Sequence, residues 1–386
     1  AAFNQPDLSI VFFERALTLA SPRGVVSLLM PAKLLNAAYA APLRRFTEST
    51  LSILALDDWS DDARRYFDAD TFPLGITVTR HRRNARVAVT SSGDSFSIDQ
   101  RQLAAGSEWT LVGDEVHAIL SRLRAQQPAL ATALARQPVM GVKSGDNGSF
   151  FVDVARVCTR SVTTVEGIHV PLDALALCVR GRDVRRWSAT ASTWMLWPPQ
   201  GGWKRPPRWL EQLAAARGFD AAALRLAYVK PEHVGIKIVW KDLGRGICAA
   251  VVEEAARIGE HVVPLVPNQT LYLLDASSVD EAHVLAALLN STIVNALAVC
   301  VAERAKDFHF RYFARTIAQI PIPRIARGSS AWSNLARASR RGHLGKTVGE
   351  ELDRVVAALY DVSADEQRTL RAFVDKRLGI GDPRSS

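Results

Sequence analysis

Four arginines crowd one short stretch. Arg180, Arg182, Arg185 and Arg186 surround Gly181, with only Asp183 opposing them and Trp187 closing the run. A guanidinium forks onto the edge of guanine in the major groove or onto a phosphate, so such a cluster suits nucleic acid. One of these arginines is expected to pair with Asp183, and Trp187 to be buried; two of the four are expected to touch DNA and at least one to be structural. Lys204, Arg205 and Arg208 form a second basic group, within and just after the Pro/Gly-rich stretch from Pro198 to Pro207. A surface loop of that kind can grip backbone phosphate, and an ordinary solvated surface explains it equally well. In a third group, Arg304, Lys306, Arg311 and Arg315 surround Phe308-His309-Phe310 and Tyr312-Phe313. Basic residues interleaved with aromatics fit a nucleic-acid surface, although the same rings would serve as core. Metal and disulfide chemistry is not indicated. Cys158, Cys178, Cys248 and Cys300 are far apart with no CxxC pair, no HExxH occurs, and His309 lacks a paired ligand spacing. Such cysteine usage fits a reducing cytoplasm.

The chain of 386 residues is long enough for two domains with sizeable cores, and 48% hydrophobic against 23% charged residues is a globular composition. A formal charge of +9 points to an anionic partner without fixing a fold. No apolar run reaches the roughly eighteen residues of a membrane span. Asp7 can cap a helix carrying Ile10, Phe13, Ala16 and Leu17, and Ser21-Pro22-Arg23-Gly24 stops it. Val25 to Met30 is wholly apolar and reads as a buried strand; a helix follows over Asn36 to Glu48, interrupted at Pro42. Further strands fall at Leu51 to Leu56 and Leu74 to Thr79. The expected architecture is α/β, the closing half of a doubly wound sheet. A buried strand at Val25 needs neighbours on both sides, and the chain opens Ala1-Ala2-Phe3 without an initiator methionine, so a fragment of a longer protein is expected. From about Val87 the rhythm turns irregular and implies a mixed α+β domain, in which Lys230-Pro231-Glu232 and Lys237 to Lys241 mark strands. Helices are expected over Asp280 to Leu289, Ile293 to Ala305 and Glu350 to Tyr360, and Ser363 with Glu366 opens the last one as a capping box. Ala326 to Lys346 is basic and poor in large apolar residues, which predicts a linker or arm.

The helix from Asp7 to Leu17 and the strand Gly24 to Leu35, with its Met30-Pro31-Ala32-Lys33 end, resemble gamma-class adenine-N6 DNA methyltransferases, the TaqI-like, type IIG and BREX-type enzymes. Tyr66-Phe67-Asp68-Ala69-Asp70-Thr71-Phe72-Pro73 resembles the family motif whose aromatic residue stacks on the flipped adenine, with Phe67 as the first match and Phe72 as the second. Gly141 to Phe150 resembles the opening strand and turn of the TaqI-like target-recognition domain, and Val179 to Trp187 its arginine-rich segment. Leu288-Leu289-Asn290-Ser291 and Ile320-Pro321-Ile322-Pro323 resemble its closing helix and exit strand, and Leu359-Tyr360-Asp361-Val362 a stretch of the family's tail.

The resemblance implies three parts: 1–88, the C-terminal portion of a methyltransferase catalytic domain; 89–325, the target-recognition domain; and 326–386, a basic linker with C-terminal helices. It implies a whole protein that transfers methyl from S-adenosylmethionine to adenine N6 in specific duplex DNA, flipping the base to reach it, in restriction-modification or phage defence. Double-stranded DNA is the expected partner, with a restriction or defence subunit as a further one. The departure is equally informative. The sequence holds no Asn-Pro-Pro-aromatic motif, no Gly-rich cofactor loop and no convincing nuclease motif. The catalytic and cofactor-binding residues are therefore expected elsewhere in the protein, and this chain alone is expected to be inactive. The other readings are a stand-alone specificity subunit, or a structural nucleic-acid-binding protein with a degenerate methyltransferase remnant.

Overall fold

In the computed structural model the described residues are 7–61, 67–68, 71–81, 86–104 and 108–381. Helix α1 (Leu8–Leu19) opens where expected, because the Asp7 carboxylate accepts the Ser9 N–H at 2.9 Å. Phe13 and Leu17 face the core, whereas Leu8, Val11, Phe12 and Leu19 face outward. Strand β1 (Val25–Pro31) leads through two short turns into α2 (Ala41–Thr50). Pro42 does not interrupt this helix. It lies in the first turn, where a missing N–H costs nothing. The buried Arg44 then ties the turns down by donating to the carbonyls of Leu34 and Ala37.

Strands β2 (Ser52–Asp58), β3 (Pro73–Thr79), β4 (Arg86–Ser91) and β5 (Asp94–Asp99) complete a sheet of order β1-β3-β2-β4-β5. β3 is antiparallel to both β1 and β2, and β2 is parallel to β4. So β1, β2 and β4 run one way, with β3 inserted against them; the sheet is mixed rather than doubly wound throughout. The β4–β5 hairpin turns on Ser92 and Gly93, both with positive φ. Among the described residues β1 is an edge strand. Val26 and Met30 point into the core, and Val25 and Leu29 are exposed. The strand is thus buried on one face only, short of the full burial expected from its apolar run. The boundary expected after residue 88 cuts β4; the same core continues to Ile98, Trp109 and Leu111.

The remainder holds five sheets among the described residues, and two larger ones form its frame. One holds Leu175–Val179, Thr193–Leu196 and His261–Pro267, and the other Lys237–Lys241, Ala249–Val252 and Leu271–Asp275. Lys230 to Glu232 is not strand: Pro231–His233 is a 3-10 turn. The helices Val279–Leu289 and Thr292–Val301 are buried along almost their whole length. No single helix among the described residues is long and apolar enough to cross a membrane. The break between these two has a specific cause. Asn290 acts as a strand partner, accepting the Ala249 N–H at 3.0 Å and donating to its carbonyl at 2.8 Å. Ser291 caps the second helix, which ends at Val301, short of the expected Ala305.

The stretch expected as a basic arm is instead the helix Ser330–His343. Leu335, Ala336, Ala338, Ser339 and Gly342 are buried on it, and it packs against Val279–Leu289. Small side chains allow close approach between helices, so poverty in large apolar residues did not mean exposure. Gly349–Leu359 and Ala364–Arg377 follow, the latter opened by the Ser363–Glu366 capping box. One hydrophobic core runs from Val112 to Leu378, and the boundary expected at 325/326 falls inside it.

Candidate nucleic-acid interface

Where β1 ends, its last residue pairs with the first of β3 (Pro31 opposite Pro73), and the Ala32 N–H bonds the Phe72 carbonyl at 2.6 Å. This turn makes one wall of a cleft of about 430 Å³ that Phe67 and Phe72 both line, with Asp7 and Lys33 beside them. Hydrogen bonds from Ser9, and the charge of Lys33, hold the Asp7 carboxyl below its ordinary value. The cleft therefore offers two phenyl rings, a carboxylate and an ammonium group, a surface suited to a flat polar ring. The motif residues Tyr66, Ala69 and Asp70 lie outside the described residues.

The arginine-rich segment folds as a 3-10 turn, Gly181–Asp183, followed by a small hairpin of Val184–Arg185 against Ser188–Ala189. Asp183 is largely occupied: one oxygen accepts the Arg180 N–H at 2.9 Å and the other the Ser192 hydroxyl at 3.1 Å. Arg182 lies 3.8 Å from that carboxylate with its side chain 66% exposed, so it projects into solvent. The Arg180 guanidinium sits over the Phe151 ring at 5.1 Å. Arg185 donates to the carbonyls of Arg182 and Val184 and so fastens the turn. Arg186 turns toward the helices, donating to the Asn290 carbonyl at 2.5 Å. It lines a separate hollow of about 560 Å³ with Arg354 and Arg371. Trp187 is buried, as expected.

In the third basic group the structure separates roles that the sequence joined. The Arg304 side chain is only 8% exposed, and it pairs with Asp58 at the end of β2 and with Asp61 just beyond it. It is a buried linker and not a surface cation. Phe308, Phe310 and Tyr312 are core. Arg311 and Arg315 remain 45% and 55% exposed, paired with Asp242 and Glu303. Their guanidinium groups lie over the Phe313 ring at 5.8 and 5.2 Å.

Hydrogen bonds place these pieces on one ledge. Asp242, which holds Arg311, donates its N–H to the Thr270 carbonyl, and the Thr270 hydroxyl accepts the Gly181 N–H at 2.9 Å, next to Arg182. At the other end Glu303, which holds Arg315, lines a small cavity that Lys33 and Phe72 also line. The ledge thus leads from the aromatic cleft past Arg315 and Arg311 to Arg182. Beyond it, Val142 bridges to Asn268, and Lys143 bridges to Tyr228, whose ring carries Lys230 at 5.8 Å. Sequence reasoning missed Lys143 and Lys230 as surface cations; the first falls within the span Gly141 to Phe150 and the second within an expected strand. Lys204 and Arg205 are exposed on the Pro/Gly loop, which walls a further hollow of about 440 Å³ together with Arg225 and Lys230. Among the described residues no group of three His, Cys, Asp or Glu side chains could hold a metal ion.

No family model matches the sequence, and no curated protein matches it. Solved structures do match in fold. The Type IIL restriction-modification enzyme MmeI, determined in complex with DNA, superposes with a TM-score of 0.58 at 13% identity, over 97% of this chain and 52% of that one. The type IIG restriction endonuclease BpuSI is matched with a TM-score of 0.44 at 12% identity, over 99% of this chain and 50% of that one. The chain spans about half the length of both enzymes, and its mixed α/β architecture is similar to that of the first.

Proposed function

We propose that this chain supplies target recognition, and the closing part of the catalytic sheet, to a site-specific DNA methyltransferase of the restriction-modification kind. The whole protein would transfer methyl from S-adenosylmethionine to adenine N6 in duplex DNA. The observation that carries this reading is the basic ledge of Arg182, Arg311 and Arg315 leading into the cleft lined by Phe67 and Phe72. In this reading the ledge holds the duplex, with Arg311 and Arg315 on phosphates and Arg182 at a base edge. The extruded base enters the cleft, where stacking on an aromatic ring contributes about 1–3 kcal/mol. The described residues around the cleft do not build a cradle for S-adenosylmethionine. The cleft presents no Gly-rich turn at a helix N-terminus, and the sequence has no Asn-Pro-Pro-aromatic motif to engage the adenine amino group. In the proposed enzyme, cofactor binding would fall to other parts of the protein.

Titration of a fluorescent duplex over a salt series tests the ledge. If about six phosphates are contacted, the logarithm of the affinity falls against the logarithm of salt with a slope near −5. The Arg311→Ala variant is expected to weaken binding to all sequences alike and to reduce the slope by about one. A slope near zero for the unaltered chain would remove the proposal. The preferred sequence, selected from a random duplex pool, then tests readout. Arg182→Ala is expected to cost about 1–3 kcal/mol on the selected site and little on random DNA. Because Arg185 fastens the turn that carries Arg182, Arg185→Ala should lose discrimination through loosening of the segment. Even losses on both DNAs would mean that Arg182 is no reader.

A further inference from the structure

Two bulky aromatic residues adopt a left-handed backbone, Trp187 at φ 69° and Phe308 at φ 60°. Side chains of this size rarely adopt that conformation, so the surroundings must hold them there. Trp187 is the second residue of the two-residue turn joining Val184–Arg185 to Ser188–Ala189. Phe308 lies in the turn joining Glu303–Arg304 to Phe310–Arg311. Both turns adjoin the ledge: the first closes the hairpin that follows the Arg182 turn, and the second leads into Arg311. Both rings are buried, and each rests on a glycine of the C-terminal helical layer. A Cβ added to Gly342 would lie 2.7 Å from the Trp187 indole, and one added to Gly379 would lie 2.7 Å from the Phe308 ring. The layer is itself anchored. His343, beside Gly342, accepts the Val251 N–H at 3.0 Å and meets the Trp187 ring edge-on. Arg377, beside Gly379, donates to the hydroxyls of Ser91 and Ser92 and lies over the Phe310 ring.

We propose that Gly342 and Gly379 are positioning residues: bare backbone seats for Trp187 and Phe308, through which the C-terminal helices set the two turns adjoining Arg182 and Arg311 of the ledge without touching DNA. This rests on the proposed function above, and the two can fail separately. Gly342 lies within a helix, where alanine is ordinarily the better residue, so only the ring opposes a methyl group there. Gly379 has a positive φ, so its substitution adds backbone strain to the ring contact. Neighbours provide controls. Gly345 and Gly381 also have positive φ, and a Cβ on either would meet nothing within 4 Å.

The test compares Gly342→Ala and Gly379→Ala with Gly345→Ala and Gly381→Ala, reading duplex affinity, thermal midpoint and amide exchange by segment. The seat variants are expected to bind duplex at least about tenfold more weakly, with faster exchange confined to residues near 180–190 and 303–312. The control variants are expected to lower the midpoint through backbone strain while keeping affinity within about twofold and leaving exchange in both turns unchanged. Seat variants that bind and exchange like the unaltered chain would overturn the proposal. So would control variants that lose as much affinity for the same loss of stability. If the unaltered chain does not bind duplex, the proposed function falls, and the exchange measurement decides the seating by itself.

Discussion

Replacement of Arg304 by alanine is expected to destabilise the protein by about 3–5 kcal/mol, a large fraction of the stability of an ordinary domain. The Asp58 side chain at the end of β2 is 1% exposed, and Arg304 approaches it at 3.3 Å while also pairing with Asp61. Burial pushes the Asp58 carboxyl up. Arg304 and then Arg377 outweigh it and, with hydrogen bonds from Ser60, hold the group below its ordinary value. Removing Arg304 leaves two buried carboxylates facing Arg377 alone, and it uncovers the Phe310 ring on which the guanidinium lies at 5.5 Å. Because the loss comes from uncompensated charge, adding Asp58→Asn and Asp61→Asn to an Arg304→Met chain should recover most of it. The pH dependence has a definite sign. A carboxylate with a lowered folded pKa contributes stability above its unfolded value and loses it as pH falls through the folded one. The unaltered chain should therefore lose stability more steeply below about pH 4 than the Arg304 variant, whose Asp58 has lost its main partner. Chemical denaturation checks both points. A loss under about 1 kcal/mol for Arg304→Ala would mean that the cluster is solvated and does not fix the first sheet against the ledge.

Arg304 also shows where a sequence stops being legible. Its neighbours alternate basic and aromatic residues, the pattern of a nucleic-acid surface, but its burial is decided by Asp58, 246 positions away. Arg186 reads like its three neighbours until Asn290, 104 positions distant, takes its guanidinium. Local signals fared better because their causes are local. The Asp7 and Ser363 caps, the apolar run of β1 and the paired strands β2 and β3 lie where periodicity placed them. The stretch near Ser330 to His343 was misread because a helix can bury itself with alanine and glycine as well as with leucine, and hydropathy alone undervalues that face. The aromatic seats were equally hidden. Nothing in Arg186-Trp187-Ser188 announces a left-handed tryptophan, since the residue that permits it is Gly342.

Stability is expected to rise with pH above neutrality through one side chain, Lys237. It is wholly buried on the strand Lys237–Lys241, and its ammonium donates to the carbonyls of Glu253 and Leu265 at 3.2 and 3.0 Å. These bonds join the sheet of Lys237–Lys241 to the strand His261–Pro267 of the neighbouring sheet. Both acceptors are neutral, so burial dominates and brings the amine down to about 7 from 10.5, with Glu254 opposing only in part. Between those values the unfolded chain holds a proton that the folded chain has released, and folding is favoured increasingly as pH rises. Below about pH 7 both states are protonated and the full cost of burying the charge is present. Lys237→Met removes the titration but deprives two carbonyls of a donor, a loss of about 1–3 kcal/mol each that does not vary with pH. The absolute difference between variant and parent is therefore not the diagnostic quantity; its slope is. From about pH 8 to about pH 9.5 the parent should gain roughly 1.3 kcal/mol per pH unit relative to the variant, measured by denaturant unfolding at each pH. Parallel profiles would show that the amine stays charged in the folded protein, held by water or by Glu254, and that the two sheets are joined by an ion rather than by a neutral donor.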